Sequence, residues 1–264
     1  MLQETENLEI LKKIAQERIA LKKFREQFLN TPSPGVSIIL PTSKKKYVDN
    51  IFYNYKRVNY PEKELIIIIN NNSLDINSYK AKARNLENIR IYQLDESCTL
   101  GECLNFGVLN SKFDYISKMD DDDYYGPNYL IDSMNVFKYT DAKVTGKTTR
   151  FIYFESSKTL AIWTIDNKNC SYIFYPHVSG GTILFKKEVS EKLKFRNLNV
   201  GEDYHFLQDC SDRGIKTYSS DKYNYIYFKH IYPQDHTWIS TEEELKYGCI
   251  EYINTINYEP IVTV

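Results

Sequence analysis

The sequence predicts an α/β protein: a mostly parallel sheet flanked by helices, with an N-terminal amphipathic helix ahead of it. Three observations carry this prediction. From Val36 onward short β-rich runs alternate with helical stretches, Leu65-Ile-Ile-Ile-Ile69 is apolar without alternation, and four aspartates, Asp120 to Asp123, follow a hydrophobic segment ending at Met119. Strands separated by helices of this length imply right-handed βαβ units and a parallel arrangement. An unbroken aliphatic run suits a central strand covered on both faces. Ligands of such sheets sit beyond the carboxyl ends of the strands, which is where the acidic run falls.

Taken in order, residues 3–29 place Leu8, Leu11, Ile14, Ala15, Ile19, Leu21, Phe24 and Phe28 three and four apart among charges, an amphipathic helix. It is either a docking or oligomerisation helix or a helix packed on its own domain. Asn30-Thr-Pro-Ser-Pro-Gly35 breaks it. Strands are expected at Val36–Leu40, Glu64–Ile69, Ile89–Gln93 and Tyr115–Met119, with helices at 46–58, 75–86 and 100–111 between them. After Pro127 come a helix at about 128–139, short Thr-, Tyr- and Phe-rich strands between 142 and 186, a helix at about 203–213 and a final helix at about 241–255. The organisation is thus a helix and linker (1–34), a nucleotide-binding half (35–127) and a second half with a C-terminal helix (128–264).

The 264 residues, 42% hydrophobic, suffice for one substantial core. With 34 basic and 35 acidic residues there is no global field to attract nucleic acid or an anionic membrane. Cys98, Cys103, Cys170, Cys210 and Cys249 are scattered and odd in number, which suggests neither a disulfide framework nor a zinc knot. The first residues are polar where a secretory signal needs an apolar stretch, and no run approaches the roughly 20 residues needed to span a bilayer. These features point to a cytoplasmic protein, either free or peripheral to membrane or envelope assembly.

Packing does not explain four adjacent aspartates at a strand end, because bunched carboxylates repel one another and cost desolvation when buried. A hard divalent cation relieves that repulsion, and magnesium or manganese uses one or two carboxylates while substrate phosphates complete the shell. The rival reading is a solvated acidic turn. An EF-hand fails because Tyr125 stands where an oxygen ligand is required and Asp132 where a bidentate glutamate is usual. A nucleotidyltransferase would want a glycine-rich phosphate loop, which Leu40-Pro-Thr-Ser43 does not offer.

Gly201-Glu202-Asp203 opens a helix, so Asp203 is either a cap or, paired with a metal site, a general base for a hydroxyl nucleophile. Of His177, His205, His230 and His236, the last two bracket a short segment after a Tyr-rich strand, and one of them could complete a metal shell. Trp238 is either core or a sugar platform.

Together these residues resemble family 2 glycosyltransferases of the GT-A fold. Val36-Ser-Ile-Ile-Leu-Pro-Thr42 looks like the family's first strand, and Tyr60-Pro, Glu64-Leu-Ile-Ile and Asn70-Asn-Asn-Ser-Leu-Asp75 its second strand and nucleotide turn. Leu100-Gly-Glu-Cys-Leu-Asn105-Phe-Gly107 is similar to its glycine-containing helix, and Asp114-Tyr-Ile-x-x-Met-Asp120-x-Asp122-Asp123 to the strand entering the D-x-D element. Gly180-Gly181-Thr, Phe185-Lys-Lys, Gly201-Glu202-Asp203 and Arg213-Gly214 are similar to its acceptor-side signature, over about residues 35–240 in all.

The resemblance implies an inverting hexosyltransferase-like enzyme that moves a sugar from a UDP-type donor to a glycan or glycoprotein acceptor, such as a cell-envelope or spore glycan, with Mn2+ or Mg2+. Its donor site would use Pro41, Thr42, Asn70, Asn72, Gly101, Asn105, Asp120 and Asp121. Its metal ligands would be Asp122, Asp120 and His230, with Asp121 and Asp123 facing solvent or supporting from behind. Asp203 would be the base, with Glu202 second in line. Asn70-Asn71-Asn72 departs from the family's usual Asp-Asp turn, which keeps a catalytically silent sugar-binding scaffold as the alternative.

Overall fold

The computed structural model describes residues 2–232 and 240–264, with side chains from residue 7 onward. The chain opens with α1 (Leu2–Glu26) and continues β1 (Val36–Thr42), α2 (Val48–Arg57), β2 (Lys63–Asn70), α3 (Ile76–Ala83), β3 (Ile89–Leu94), α4 (Leu100–Leu109) and β4 (Tyr115–Lys118). Then follow β5 (Tyr124–Tyr125), α5 (Tyr129–Tyr139), β6 (Val144–Gly146), β7 (Arg150–Phe154), β8 (Thr159–Trp163), β9 (Ile173–Phe174) and β10 (Leu184–Lys186). The chain closes with α6 (Glu202–Asp212), β11 (Thr217–Ser219), β12 (Tyr225–Lys229), α7 (Glu242–Tyr247), β13 (Cys249–Asn254) and α8 (Glu259–Val262).

The main sheet has eight strands in the order β3-β2-β1-β4-β10-β6-β11-β9, and its first four are parallel. Ile66, Ile67, Ile68 and Ile69 of β2 are fully buried, as an aliphatic run sandwiched between helices should be. One face packs on α2 and α5 through Ile51, Phe52, Leu130 and Met134, the other on α4 and α6 through Leu104, Val108, Phe206 and Leu207. A second sheet, β13-β8-β7-β12-β5, stands beside it. Cys103, Cys170, Cys210 and Cys249 are buried free thiols, and Cys98 is half-buried.

Helix α1 packs on its own domain. Ile14 and Leu21 join the core of the second sheet, and Arg25 makes a two-pronged bond to buried Asp132 at 2.7 and 2.8 Å. Lys222 and Tyr223 both reach Glu17.

The sequence places a single helix over 241–255, and there the structure differs. A capping box, Thr241 with Glu244, starts α7, but the helix stops before Gly248 and the chain becomes β13, paired antiparallel with β8. Gly248 lies against Trp163, where an added Cβ would stand 2.4 Å from the indole nitrogen. Beyond it Cys249 and Ile253 face inward while Ile250 and Tyr252 are more exposed, an alternating pattern with too few residues to outweigh a helical reading. Among the described residues no helix is long and apolar enough to cross a membrane.

Candidate active site

The carboxyl ends of β1 and β4 open into a cavity of about 700 Å³. Its wall carries Pro41, Thr42, Lys44, Asn70, Lys118, Asp120, Asp121 and Asp122 from the parallel half, and Arg150, Gly180, Gly181, Glu202, Asp203, Tyr225 and Tyr227 from the second half.

Local bonding explains how four adjacent aspartates are held apart. Asn50, on α2, donates from Nδ2 to the carbonyls of Asp121 (2.8 Å) and Asp123 (2.9 Å), and Asn54 donates to the Asp123 carbonyl at 2.8 Å. The Asp120 N–H donates to the Tyr125 hydroxyl at 2.8 Å, and that hydroxyl donates to the Gly181 carbonyl at 2.7 Å. With the backbone fixed, the side chains diverge. Asp120 accepts from Lys118 Nζ at 2.6 Å, and Asp121 from Thr42 Oγ1 at 2.5 Å. Asp123 turns inward and is 1% exposed, accepting from the Tyr225 hydroxyl at 2.6 Å and the Phe228 N–H at 3.1 Å. It is an internal brace between the sheets, so of the two positions open to it from sequence it takes the supporting one and not the solvent-facing one.

Burial pushes the Asp121 carboxyl up to about 6 and that of Asp123 to about 7. Burial, with the charges of Asp123, Asp121 and Asp120 added, raises Asp122 well above the usual carboxylate range. Such a group is stabilised as the anion when a cation arrives. On the side of Asp122 Oδ2, His230 Nε2 lies 3.8 Å away, and the other ring nitrogen is 2.9 Å from Glu155 Oε2. Glu155 thereby fixes the ring's orientation, as outer partners of metal-binding histidines do. Among the described residues no three His, Cys, Asp or Glu side chains form a closed metal-binding set. Asp122 and His230, with substrate oxygens to complete the shell, nevertheless fit magnesium or manganese, which rarely take an all-protein cage. Asp120 is engaged by Lys118. His236 and Trp238 lie outside the described residues.

The second acidic group faces the first across two glycines. Gly201 adopts a left-handed φ of 81° and caps α6, so Asp203 is not the cap residue; its Oδ1 instead accepts from the Tyr204 N–H at 2.7 Å. A Cβ on Gly180 would stand 1.7 Å from Asp203 Oδ2, and one on Gly181 would stand 2.7 Å from Asp120 Oδ2. With the carboxylates where they stand, a side chain on either glycine would collide with one of them. Buried Lys118 sits among them: burial opposes its charge, but Asp120, Glu202 and Asp203 hold its ammonium above the ordinary range. Burial raises Glu202 to about 7, with Lys118 opposing and Asp203 adding to the shift.

Three expected donor-site residues lie elsewhere. Asn72 is exposed and bonded to the Asp95-Glu96 loop, with Nδ2 3.0 Å from Asp95 Oδ2. Gly101 packs on backbone, where a Cβ would stand 1.8 Å from the Arg196 carbonyl. Asn105 clamps Phe195 by two bonds of 2.7 and 3.1 Å and lines a separate groove. Both hold the 195–198 segment against α4, a packing role that spacing alone does not distinguish from ligand contact. Lys118, Glu155, Arg150 and Tyr225 carried no motif, and only the long-range pairing of strands assembles them.

The family model described as glycosyl transferase family 2 matches residues 37–194. An uncharacterized glycosyltransferase of Rickettsia typhi (strain ATCC VR-144 / Wilmington) is 31% identical over 120 residues, 43% of this chain and 35% of that protein, so the match spans about a third of its length. The structure of S. aureus TarS 1-349 in complex with UDP-GlcNAc superposes with a TM-score of 0.55 at 16% identity, covering 74% of this chain and 59% of TarS 1-349. The mannosyltransferase PcManGT from Pyrobaculum calidifontis, in complex with GDP-Man and Mn2+, gives 0.55 at 14% identity, covering 84% and 68% respectively. At those identities the likeness is one of fold, and the fold is GT-A. The family match covers more than half of the sequence, and the chain belongs to glycosyl transferase family 2.

Proposed function

We propose that this chain transfers a sugar from a nucleoside-diphosphate donor, of UDP type, to a hydroxyl of a glycan or glycoconjugate, with inversion at the anomeric carbon. The observation that carries the proposal is the meeting of two acidic groups, Asp120–Asp122 and Glu202–Asp203, on either side of Gly180-Gly181 in one cavity. Residues 35–127 serve as the donor half and 128–264 as the acceptor half. Pro41, Thr42 and Asn70 line the nucleoside end, where Asn70 oxygen can accept a hydrogen bond though it lacks the usual charge.

Asp203 is the base and Glu202 the second candidate. Asp203 takes the proton of the acceptor hydroxyl while that oxygen bonds to the anomeric carbon. The bond from that carbon to the diphosphate breaks, and its electron pair leaves with the nucleotide. Lys118 holds Asp120 in place. Asp122 and His230 would hold Mn2+ or Mg2+, with Asp120 adjoining. The ion would supply charge to neutralise the departing diphosphate. TarS and PcManGT, whose structures contain UDP-GlcNAc and GDP-Man with Mn2+, support a nucleotide-sugar donor and a metal in general.

Calorimetric titration with UDP, with and without Mn2+, tests the reading. Metal-dependent binding is expected, and its absence would leave only a silent module of the same fold. Asp203→Asn should remove transfer and leave UDP affinity nearly intact. If UDP binding is lost instead, Asp203 is not the base.

A further inference from the structure

Arg150, the first residue of β7, lines the cavity in the same wall as Asp122, Tyr225 and Tyr227, and it is 7% exposed. Its guanidinium carbon lies over the Trp163 ring, 4.1 Å from the centroid, and 6.0 Å from the centroid of Tyr227, aromatic contacts that supply no hydrogen-bond acceptor to its N–H groups. That edge is poorly satisfied. Nη1 donates to the Thr148 carbonyl at 3.2 Å, Nε has no hydrogen-bond partner, and among the described residues no carboxylate forms an ion pair with the group. A buried guanidinium offers five donors and a full charge, and leaving them unanswered is costly unless a ligand supplies the counter-charge. Burial accordingly lowers its pKa from the ordinary value.

Its planar fork matches a pair of phosphate or carboxylate oxygens. On the functional reading above, one strong anion must occupy this cavity beside Asp122, and it is the donor's diphosphate. We propose that Arg150 binds the sugar-linked phosphate of the donor diphosphate and receives the charge that develops there as the anomeric bond breaks. The electron pair of that bond passes to the bridging oxygen, and the acceptor proton goes to Asp203. This inference rests on the donor reading. The other source of the same oxyanion chemistry is the carboxylate of an acidic donor sugar.

The test compares wild type, Arg150→Met and Arg150→Lys, each first shown to melt cooperatively, by calorimetric titration with Mn2+ and UDP, UMP, UDP-glucose, UDP-glucuronate or inorganic pyrophosphate. Arg150→Met is expected to weaken UDP and pyrophosphate by about 10- to 100-fold, the range for a hydrogen bond to a charged group, and to leave UMP within about threefold. The two UDP-sugars should weaken equally. Arg150→Lys keeps the charge without the fork and should fall between, so it decides the matter if the methionine variant does not fold. Unchanged UDP binding overturns the proposal, as does an equal loss for UMP. A loss confined to UDP-glucuronate overturns it in favour of the sugar carboxylate. If wild type binds no nucleotide with Mn2+, the donor reading fails on its own, and pyrophosphate alone then tests Arg150.

Discussion

Replacing Gly180 by alanine tests whether Asp203 is the base without replacing a carboxylate. The new Cβ would stand 1.7 Å from Asp203 Oδ2 and 2.7 Å from its Cγ, and since ordinary contact begins near 3.4 Å, Oδ2 must retreat by about 1.7 Å. Asp203 can do so by rotating, so the fold should survive, but the base leaves the position from which it reaches the acceptor. A misplacement of about 1 Å costs on the order of 100-fold, and a positioned base contributes about 100- to 10,000-fold, so kcat should fall by at least about 100-fold. The nucleotide end is untouched, and the Kd for UDP with Mn2+ should stay within about threefold. Gly181→Ala differs by one residue and should act in the opposite way: its Cβ would meet Asp120 Oδ2 at 2.7 Å and Asp123 Oδ2 at 3.0 Å, weakening metal-supported UDP binding. The assays are nucleotide release with whichever nucleotide-sugar supports turnover, hydrolysis included, and calorimetry. Wild-type turnover in Gly180→Ala, or loss of UDP binding along with turnover, would refute the geometric argument.

Two further outcomes are expected. Arg25→Ala leaves the Asp132 carboxylate, only 3% exposed at its side chain, without its two-pronged partner, and breaking a buried pair costs about 3–5 kcal/mol; urea denaturation should show this, whereas a loss below about 1 kcal/mol would mean that α1 is a detachable arm. The metal-free protein should also gain stability as pH falls from about 8 to about 5, because Asp121 and Asp123, raised to about 6 and about 7, hold protons in the folded state that the unfolded chain has already lost. Asp122, which burial and its acidic neighbours hold well above the usual carboxylate range, must lose its proton when a cation binds, so Mn2+-supported UDP affinity should rise with pH, and melting curves and titrations that are flat or opposite in slope would contradict these assignments.

The parallel half was legible because its signals are local. Each strand from β1 to β4 falls within two residues of the segment expected from its aliphatic run, and the Val36-to-Thr42 and Tyr115-to-Met119 runs place the strand ends at the cavity. The far end of the chain was not legible. Cys249–Asn254 is an edge strand whose inward positions are only Cys249 and Ile253, and its pairing with β8 was decided by a partner some ninety residues earlier in the chain. Period alone cannot separate so short a strand from the tail of a helix.

The site shows the same division more sharply. Type and order of residues pointed to Thr42, Asp120, Asp121, Asp122, Glu202 and Asp203, and all line one cavity. Spacing could not say which aspartate turns inward, because that is set by Tyr225 and Phe228, 102 and 105 positions away. Nor could it separate Gly101 and Asn105, which hold a loop, from Gly180 and Gly181, whose missing side chains keep a passage between two acidic groups. Both pairs belong to recognisable motifs, and both are glycine- or asparagine-bearing. What distinguishes them is the identity of the atom met by the absent Cβ: a backbone carbonyl at Gly101, a catalytic-candidate carboxylate at Gly180. Alanine at Gly101 should therefore cost stability with little specific effect on turnover per folded molecule, whereas alanine at Gly180 should cost turnover with little effect on stability. That contrast separates a motif residue kept for packing from one kept for chemistry.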